Sequence, residues 1–160
     1  MQFLRLRCKK RMMNVEYKTS REFLESVRKK RNRVKRMEEA LAESRARAES
    51  VSGLQIGEKV QSSGQIGIDA TLAAIEEEQE RLEEAKKELE VEIGKAAELV
   101  NLVRDDESVW HVLWERYIAG ASWGTVAKRT SYGERTVFRL ADRGFRLIDE
   151  RWQFMAVRGS

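Results

Sequence analysis

Gly133-Glu134-Arg135-Thr136-Val137-Phe138-Arg139-Leu140-Ala141-Asp142-Arg143-Gly144-Phe145-Arg146-Leu147-Ile148 is the stretch that decides how the chain is read. Val137, Leu140, Ala141, Gly144 and Ile148 recur at steps of three and four, so a helix puts them on one face. At about 100° per residue, Arg135, Arg139, Arg143 and Arg146 then share roughly the opposite face. Gly133 or Ser131 is the expected N-terminal cap. Glu134 suits the first turn, where the helix dipole is positive.

Working upstream, Ser122 is a good cap for a short helix over 123–129, with Trp123, Val126 and Ala127 pointing inward. Residues 130–132 form the turn after it, and Ala119-Gly120-Ala121 the break before it. Val109, Leu113, Tyr117 and Ile118 make the apolar stripe of a supporting helix. Three consecutive helices, the last with a basic stripe, follow the layout of a helix-turn-helix DNA reader. A solvated surface also carries charged stripes. This one is nearly all arginine, the residue suited to bidentate contacts with phosphate and guanine. It begins at a helix N-terminus, where recognition helices meet base edges. Arg135 and Arg139, with Glu134 and Thr136 beside them, are therefore expected at base edges. Ser122, Lys128, Arg129, Arg143 and Arg146 are expected at phosphates.

Arg116-Tyr117-Ile118-Ala119-Gly120-Ala121-Ser122-Trp123-Gly124-Thr125-Val126-Ala127, followed by Glu134-Arg135-Thr136-Val137-Phe138-Arg139, resembles region 4 of bacterial sigma factors. More narrowly, it resembles phage late-gene transcriptional regulators of the RinA/ArpU type. The resemblance is strongest over 105–150 and looser over 20–104. It departs at Gly133, where many members of that family carry a serine or threonine cap. The resemblance implies a sigma-like DNA-binding domain, late phage genes for packaging and morphogenesis as targets, and activation through contact with RNA polymerase.

The upstream two-thirds read as two long helices around a flexible middle. Thr19-Ser20-Arg21-Glu22 is a helix start with Ser20 as the expected cap. Phe23, Val27, Val34, Met37, Leu41, Ala48 and Val51 keep a heptad rhythm, interrupted by Lys30 and Ser44. Residues 52–67 hold four glycines and three serines and are expected to break the helix, with Asp69 capping the next. Leu72, Ile75, Leu82, Leu89, Ile93, Ala96, Val100 and Val103 continue at steps of three and four, with Gln79 and Lys86 as polar interruptions. Helices of about 30 residues would be roughly 45 Å long. A heptad sustained over four repeats predicts coiled-coil packing, either folded back within one chain or between chains. A single two-helix hairpin leaves apolar surface uncovered, so a homodimer or higher homo-oligomer is expected.

The expected fold class is thus all-α: a long helical coiled-coil hairpin or oligomerisation region, then a C-terminal helix-turn-helix domain. Its parts are a basic N-terminal segment over 1–19, two helices over 20–104 with a linker at 52–68, the DNA-binding domain over 105–152, and a tail over 153–160.

Net charge is +4 over 160 residues, unevenly distributed. Residues 1–52 hold 16 basic and 7 acidic side chains, net +9. Residues 53–104 hold 6 and 12, net −6, and residues 105–160 hold 9 and 8, net +1. A near-neutral reader binds DNA only modestly as a monomer, because phosphate neutralisation supplies much of the affinity. Dimerisation, the basic N-terminal helix or RNA polymerase would have to help. Arg28-Lys29-Lys30-Arg31-Asn32-Arg33-Val34-Lys35-Arg36 has seven basic residues in nine. It reads as a solvated surface, as a partner for the glutamate-rich helix that follows, or as non-specific phosphate contact.

Other classes find little support. No run of about 18 apolar residues marks a membrane span. The first 14 residues lack a signal peptide's apolar core and cleavage site. Cys8 is the single cysteine, so no internal disulfide forms, and a reduced cytoplasm is compatible. His111 is the single histidine and has no metal-ligand partner at suitable spacing. The glycines at 53, 57, 64 and 67 lack the lysine-serine ending of a phosphate-binding loop. No enzyme and no cofactor are expected. Trp110, Trp114, Trp123 and Trp152 read as core or interface, with Trp114 and Trp152 on the interface side. The resulting expectation is a double-stranded-DNA-binding transcription regulator in the bacterial cytoplasm, at the nucleoid. A small-terminase-like packaging subunit that binds phage DNA as a ring is the runner-up, and a structural coiled-coil adaptor the third reading.

Overall fold

The computed structural model describes residues 17–54 and 63–158, with side chains for 17–50, 67 and 69–153. Helices and their connecting turns account for all of them, and no strand occurs among the described residues. In chain order they are α1 (Ser20–Leu54), α2 (Ser63–Val100), a 3-10 turn (Asn101–Val103), α3 (Glu107–Leu113), α4 (Trp123–Thr130) and α5 (Glu134–Arg158). A wide π-helical turn, Trp114–Ile118, extends α3. Two compact units result: residues 17–29 with 90–158, and Lys30–Leu89. The expectations for residues 1–16, Cys8 among them, and for 55–62 of the linker fall outside the described residues, while 52–54 and 63–68, expected to break the helix, are helical.

Within Lys30–Leu89, Val34, Leu41, Leu82 and Leu89 are buried. Each pair is one heptad apart on its helix, the spacing that keeps an apolar seam facing a partner. The two polar interruptions tie across the seam. Lys86 Nζ lies 3.0 Å from Glu38 Oε1, and Arg45 Nη2 donates to Gln79 Oε1 at 2.6 Å. As α1 advances from 38 to 45, its partners retreat from 86 to 79, so the helices run antiparallel here. Leu72, expected on the seam, is 49% exposed.

Two helix starts differ from expectation. Thr19, not Ser20, caps α1: its Oγ1 accepts the Glu22 N–H at 3.2 Å, and the Glu22 carboxylate reaches back to the Lys18 N–H at 2.9 Å. Ser20 is already helical and its hydroxyl is engaged elsewhere. Asp69 caps nothing, because α2 begins at Ser63 and winds through Gly64 and Gly67. Glycine lowers helix stability by about 1 kcal/mol without forbidding the helix. Thr71 Oγ1 donates to the Gly67 carbonyl at 2.8 Å in that turn.

The other unit is discontinuous in sequence. Phe23, Leu24 and Val27 of α1 are buried in it, with Ala96, Leu99 and Val100 of α2 and Val103 of the 3-10 turn. Val109, Val112 and Leu113 of α3, Tyr117, Val126 of α4, and Val137, Ala141, Phe145 and Ile148 of α5 complete its core. The expected domain boundary at 105 is therefore too narrow: residues 90–104 and the first turns of α1 share this interior. Ser20, 1% exposed, donates its N–H to Asp149 Oδ1 at 2.8 Å and its hydroxyl to the Phe145 carbonyl at 3.3 Å. At the far side, Arg151 forks onto the Asp105 carboxylate, with Nη2 at 2.7 Å from Oδ2, and donates to the Leu102 carbonyl.

Candidate nucleic-acid interface

Asp106 starts α3 by accepting the Val109 N–H at 3.3 Å. After the π turn, the chain reverses at Gly120, whose φ of 79° lies in the region glycine adopts without strain. Ser122 caps α4, its Oγ accepting the Thr125 N–H at 3.2 Å. Trp123 anchors α4. Its ring stands edge-on to Tyr117 at 6.3 Å, lies 5.1 Å from Phe138 of α5, and carries the Arg116 guanidinium 4.5 Å from its centroid. Arg116, only 9% exposed, also donates to the Ala121 carbonyl at 2.9 Å, fixing the turn before α4.

Ser131, with φ of 57°, ends α4 in the left-handed conformation. The Tyr132 hydroxyl lies 3.0 Å from Ser108 Oγ, tying this turn to the start of α3. The Gly133 carbonyl accepts the N–H groups of Thr136 and Val137 at 2.9 and 3.0 Å, opening α5. Of the five residues expected on the inner face of α5, Val137, Ala141, Gly144 and Ile148 are buried and Leu140 is half-buried. Gly144 is there because two helices meet at it. A Cβ would stand 2.6 Å from Leu113 Cδ1 and 2.8 Å from Val109 Cγ1.

On the solvent side of α5, Arg135, Arg139, Arg143 and Arg146 are exposed. Arg135 and Arg139, and Lys128 at the end of α4, have no side-chain partner among the described residues. The other expected cations are engaged. Arg129 pairs with Glu115 at 2.6 Å, Arg143 with Asp106 at 3.0 Å, and Arg146 Nε donates to the Asp142 carbonyl at 3.4 Å. Ser122 Oγ is occupied by its cap and by Thr125 Oγ1 at 2.9 Å. Glu134 is exposed and Thr136 half-buried. Asp142 falls on the same row as Arg135, Arg139 and Arg146, a carboxylate readable from spacing alone and not anticipated. It pairs with Arg21.

A half-buried polar cluster joins α1 to the π turn. The Tyr117 hydroxyl donates to Glu25 Oε1 at 2.7 Å, and Arg28 Nε donates to Glu25 Oε2 at 2.9 Å. Burial raises the Glu25 carboxyl, but the hydrogen bonds from Tyr117 and Arg28 and the charges of Arg28 and Arg116 outweigh it, leaving it below its ordinary value. Burial, reinforced by the bond to Glu25, pushes the Tyr117 phenol well above the ordinary tyrosine range. Burial also lowers Arg116, with Arg28 adding to the effect. His111 Nε2 lies 3.9 Å from Glu115 Oε1. Among the described residues, no set of three histidine, cysteine or carboxylate side chains is grouped to hold a metal. No helix among them is long and apolar enough to cross a membrane.

No family model, curated protein or solved structure matches the chain.

Proposed function

We propose that the unit containing α3, α4 and α5 is a sigma-region-4-like helix-turn-helix that binds double-stranded DNA and regulates transcription. The observation that carries this reading is the solvent face of α5. It opens after a tight left-handed turn and presents Arg135 and Arg139, with neither guanidinium committed to a carboxylate. In the major groove these two reach base edges, with Glu134 and Thr136 beside them. Lys128 contacts phosphate as a point charge. Arg129, Arg143 and Arg146 contact phosphate already oriented by Glu115, Asp106 and the Asp142 carbonyl, and Ser122 sits at the N-terminus of α4. These roles need no catalytic group and no cofactor.

The antiparallel pairing within Lys30–Leu89 supports a coiled-coil arm, with the Glu38–Lys86 and Arg45–Gln79 ties holding its register. Association of copies through this arm, as a homodimer or larger homo-oligomer, supplies the affinity that a near-neutral reader lacks. By the sequence resemblance, the targets are late promoters of a temperate phage or prophage. The chain then works in the bacterial cytoplasm with RNA polymerase as a partner.

Selection of bound fragments from host and prophage DNA at about 150 mM salt tests this. Enriched sites ahead of a late operon, lost with Arg139→Ala, are the expected result. Enrichment at a packaging start would instead favour a small-terminase-like subunit. No enrichment by the purified chain, with or without RNA polymerase, would overturn the reading.

A further inference from the structure

Arg135, Arg139, Asp142 and Arg146 follow one another along α5 at steps of four, three and four, so they form one row on its solvent face. A lone carboxylate in that row would repel any polyanion approaching it. It is not alone: Arg21, 121 residues earlier in the chain, places Nη2 on Asp142 Oδ1. Arg21 is held there by buried contacts. Its neighbour Ser20 is fixed to Asp149 and to the Phe145 carbonyl, and the guanidinium carbon sits 4.6 Å from the Phe145 ring centroid.

Both members of the pair are more than half exposed. Ion pairs this exposed contribute little to stability. The first turn of α1 therefore docks through Ser20 and its apolar neighbours, and the effect of the ion pair is on the charge of the α5 face. A guanidinium has five N–H donors. Nη2 addresses Asp142, and the other N–H groups have no partner among the described residues.

We propose that Arg21 is a phosphate-contacting residue of the α5 face, held there by the Ser20 contacts and the Phe145 ring while it neutralises Asp142. This rests on the reading of α5 as a duplex-DNA-binding helix. The ligand is the backbone of duplex DNA, so the contact contributes equally on every sequence. It adds a cation to the row from a helix outside the helix-turn-helix itself.

The test is equilibrium binding of the full chain to random-sequence duplex DNA across a salt series, with thermal melting of each variant. Arg21→Met is expected to weaken binding about three- to tenfold at about 150 mM salt and to lower the log–log salt slope by about one. Asp142→Asn removes the carboxylate and keeps the guanidinium; it should bind at least as tightly as wild type with an undiminished slope. Should Arg21→Met melt early, Arg21→Gln keeps a neutral N–H donor on this side chain and should show the same loss of slope. Wild-type binding by Arg21→Met overturns the proposal. So does a loss in Asp142→Asn equal to that in Arg21→Met, which would make the pair a docking contact. The Arg135→Ala/Arg139→Ala double variant separates the levels. If it binds poorly while Arg21→Met does not, only the Arg21 proposal falls. If it too binds like wild type, the α5 reading falls with it.

Discussion

The Tyr117 hydroxyl donates to the Glu25 carboxylate at 2.7 Å across 92 residues of sequence. This bond joins the start of α1 to the π turn that follows α3. Tyr117 is 2% exposed and also stands edge-on to Trp123 and Phe145, at 6.3 and 5.8 Å. One ring thus connects α1, α4 and α5.

Tyr117→Phe keeps the ring and removes the donor. A bond to a charged acceptor of this kind contributes about 1.5–3 kcal/mol, and urea unfolding at neutral pH should show that loss. The pH dependence has a definite sign. The folded phenol titrates above the unfolded one, so its contribution is complete below the ordinary tyrosine value of about 10 and is lost as pH rises past it. The stability gap between wild type and Tyr117→Phe should therefore narrow above that pH. Parallel curves would remove the raised phenol from the account.

Gly144→Ala pushes a methyl group into Leu113 and Val109. Overpacking of this sort costs about 1–3 kcal/mol. Leu113→Ala alone leaves a void, and the two changes together should cost less than their sum, because each relieves the other. Strict additivity in the double-mutant cycle would mean that α3 and α5 do not meet at this point.

Asp105 is held down to about 2 by its hydrogen bonds from Arg151. A carboxylate lowered in the folded state stabilises above its unfolded value and loses that contribution as pH falls toward the folded one. Melting temperatures of wild type and Asp105→Asn should converge between about pH 4 and pH 2. A difference that stays constant through this window would count against the pairing.

Lys128→Ala and Arg139→Ala separate positioning from reading. Arg139→Ala should cost about 1–3 kcal/mol on a selected site and relax the preference at one base position. Lys128→Ala should weaken selected and random duplexes alike and reduce the salt slope by about one. Footprinting and titration of both variants on both duplexes give the comparison.

The faces of α5 were legible from spacing, because an amphipathic helix writes its inside and outside into the order of its residues. Val137, Ala141, Gly144 and Ile148 turned inward and Arg135 and Arg139 outward. The Ser122 cap was legible for the same local reason. Partnerships were not. Nothing near Arg143 or Arg129 in sequence announces Asp106 or Glu115 as their counter-ions. Ser20 has the chemistry of a cap, but Phe145 and Asp149 claim its polar groups, and Thr19 takes the role. The contribution of α1 to the C-terminal core was hidden for a related reason: Phe23 and Val27 fit the same heptad as Val34 and Leu41, yet they pack in a different unit. Periodicity says which face is apolar and leaves open what covers it.

The contact between Ser20 and Asp149 spans 129 residues. At the usual pace of synthesis, the first turns of α1 leave the ribosome on the order of ten seconds before α5 does. Throughout that interval the bonds from Ser20 to Phe145 and Asp149 cannot form. Arg45 and Gln79, 34 residues apart, can meet much sooner. The pairing around Arg45 and Gln79 can therefore form well before the core that joins α1 to α5, which closes only once α5 has been made.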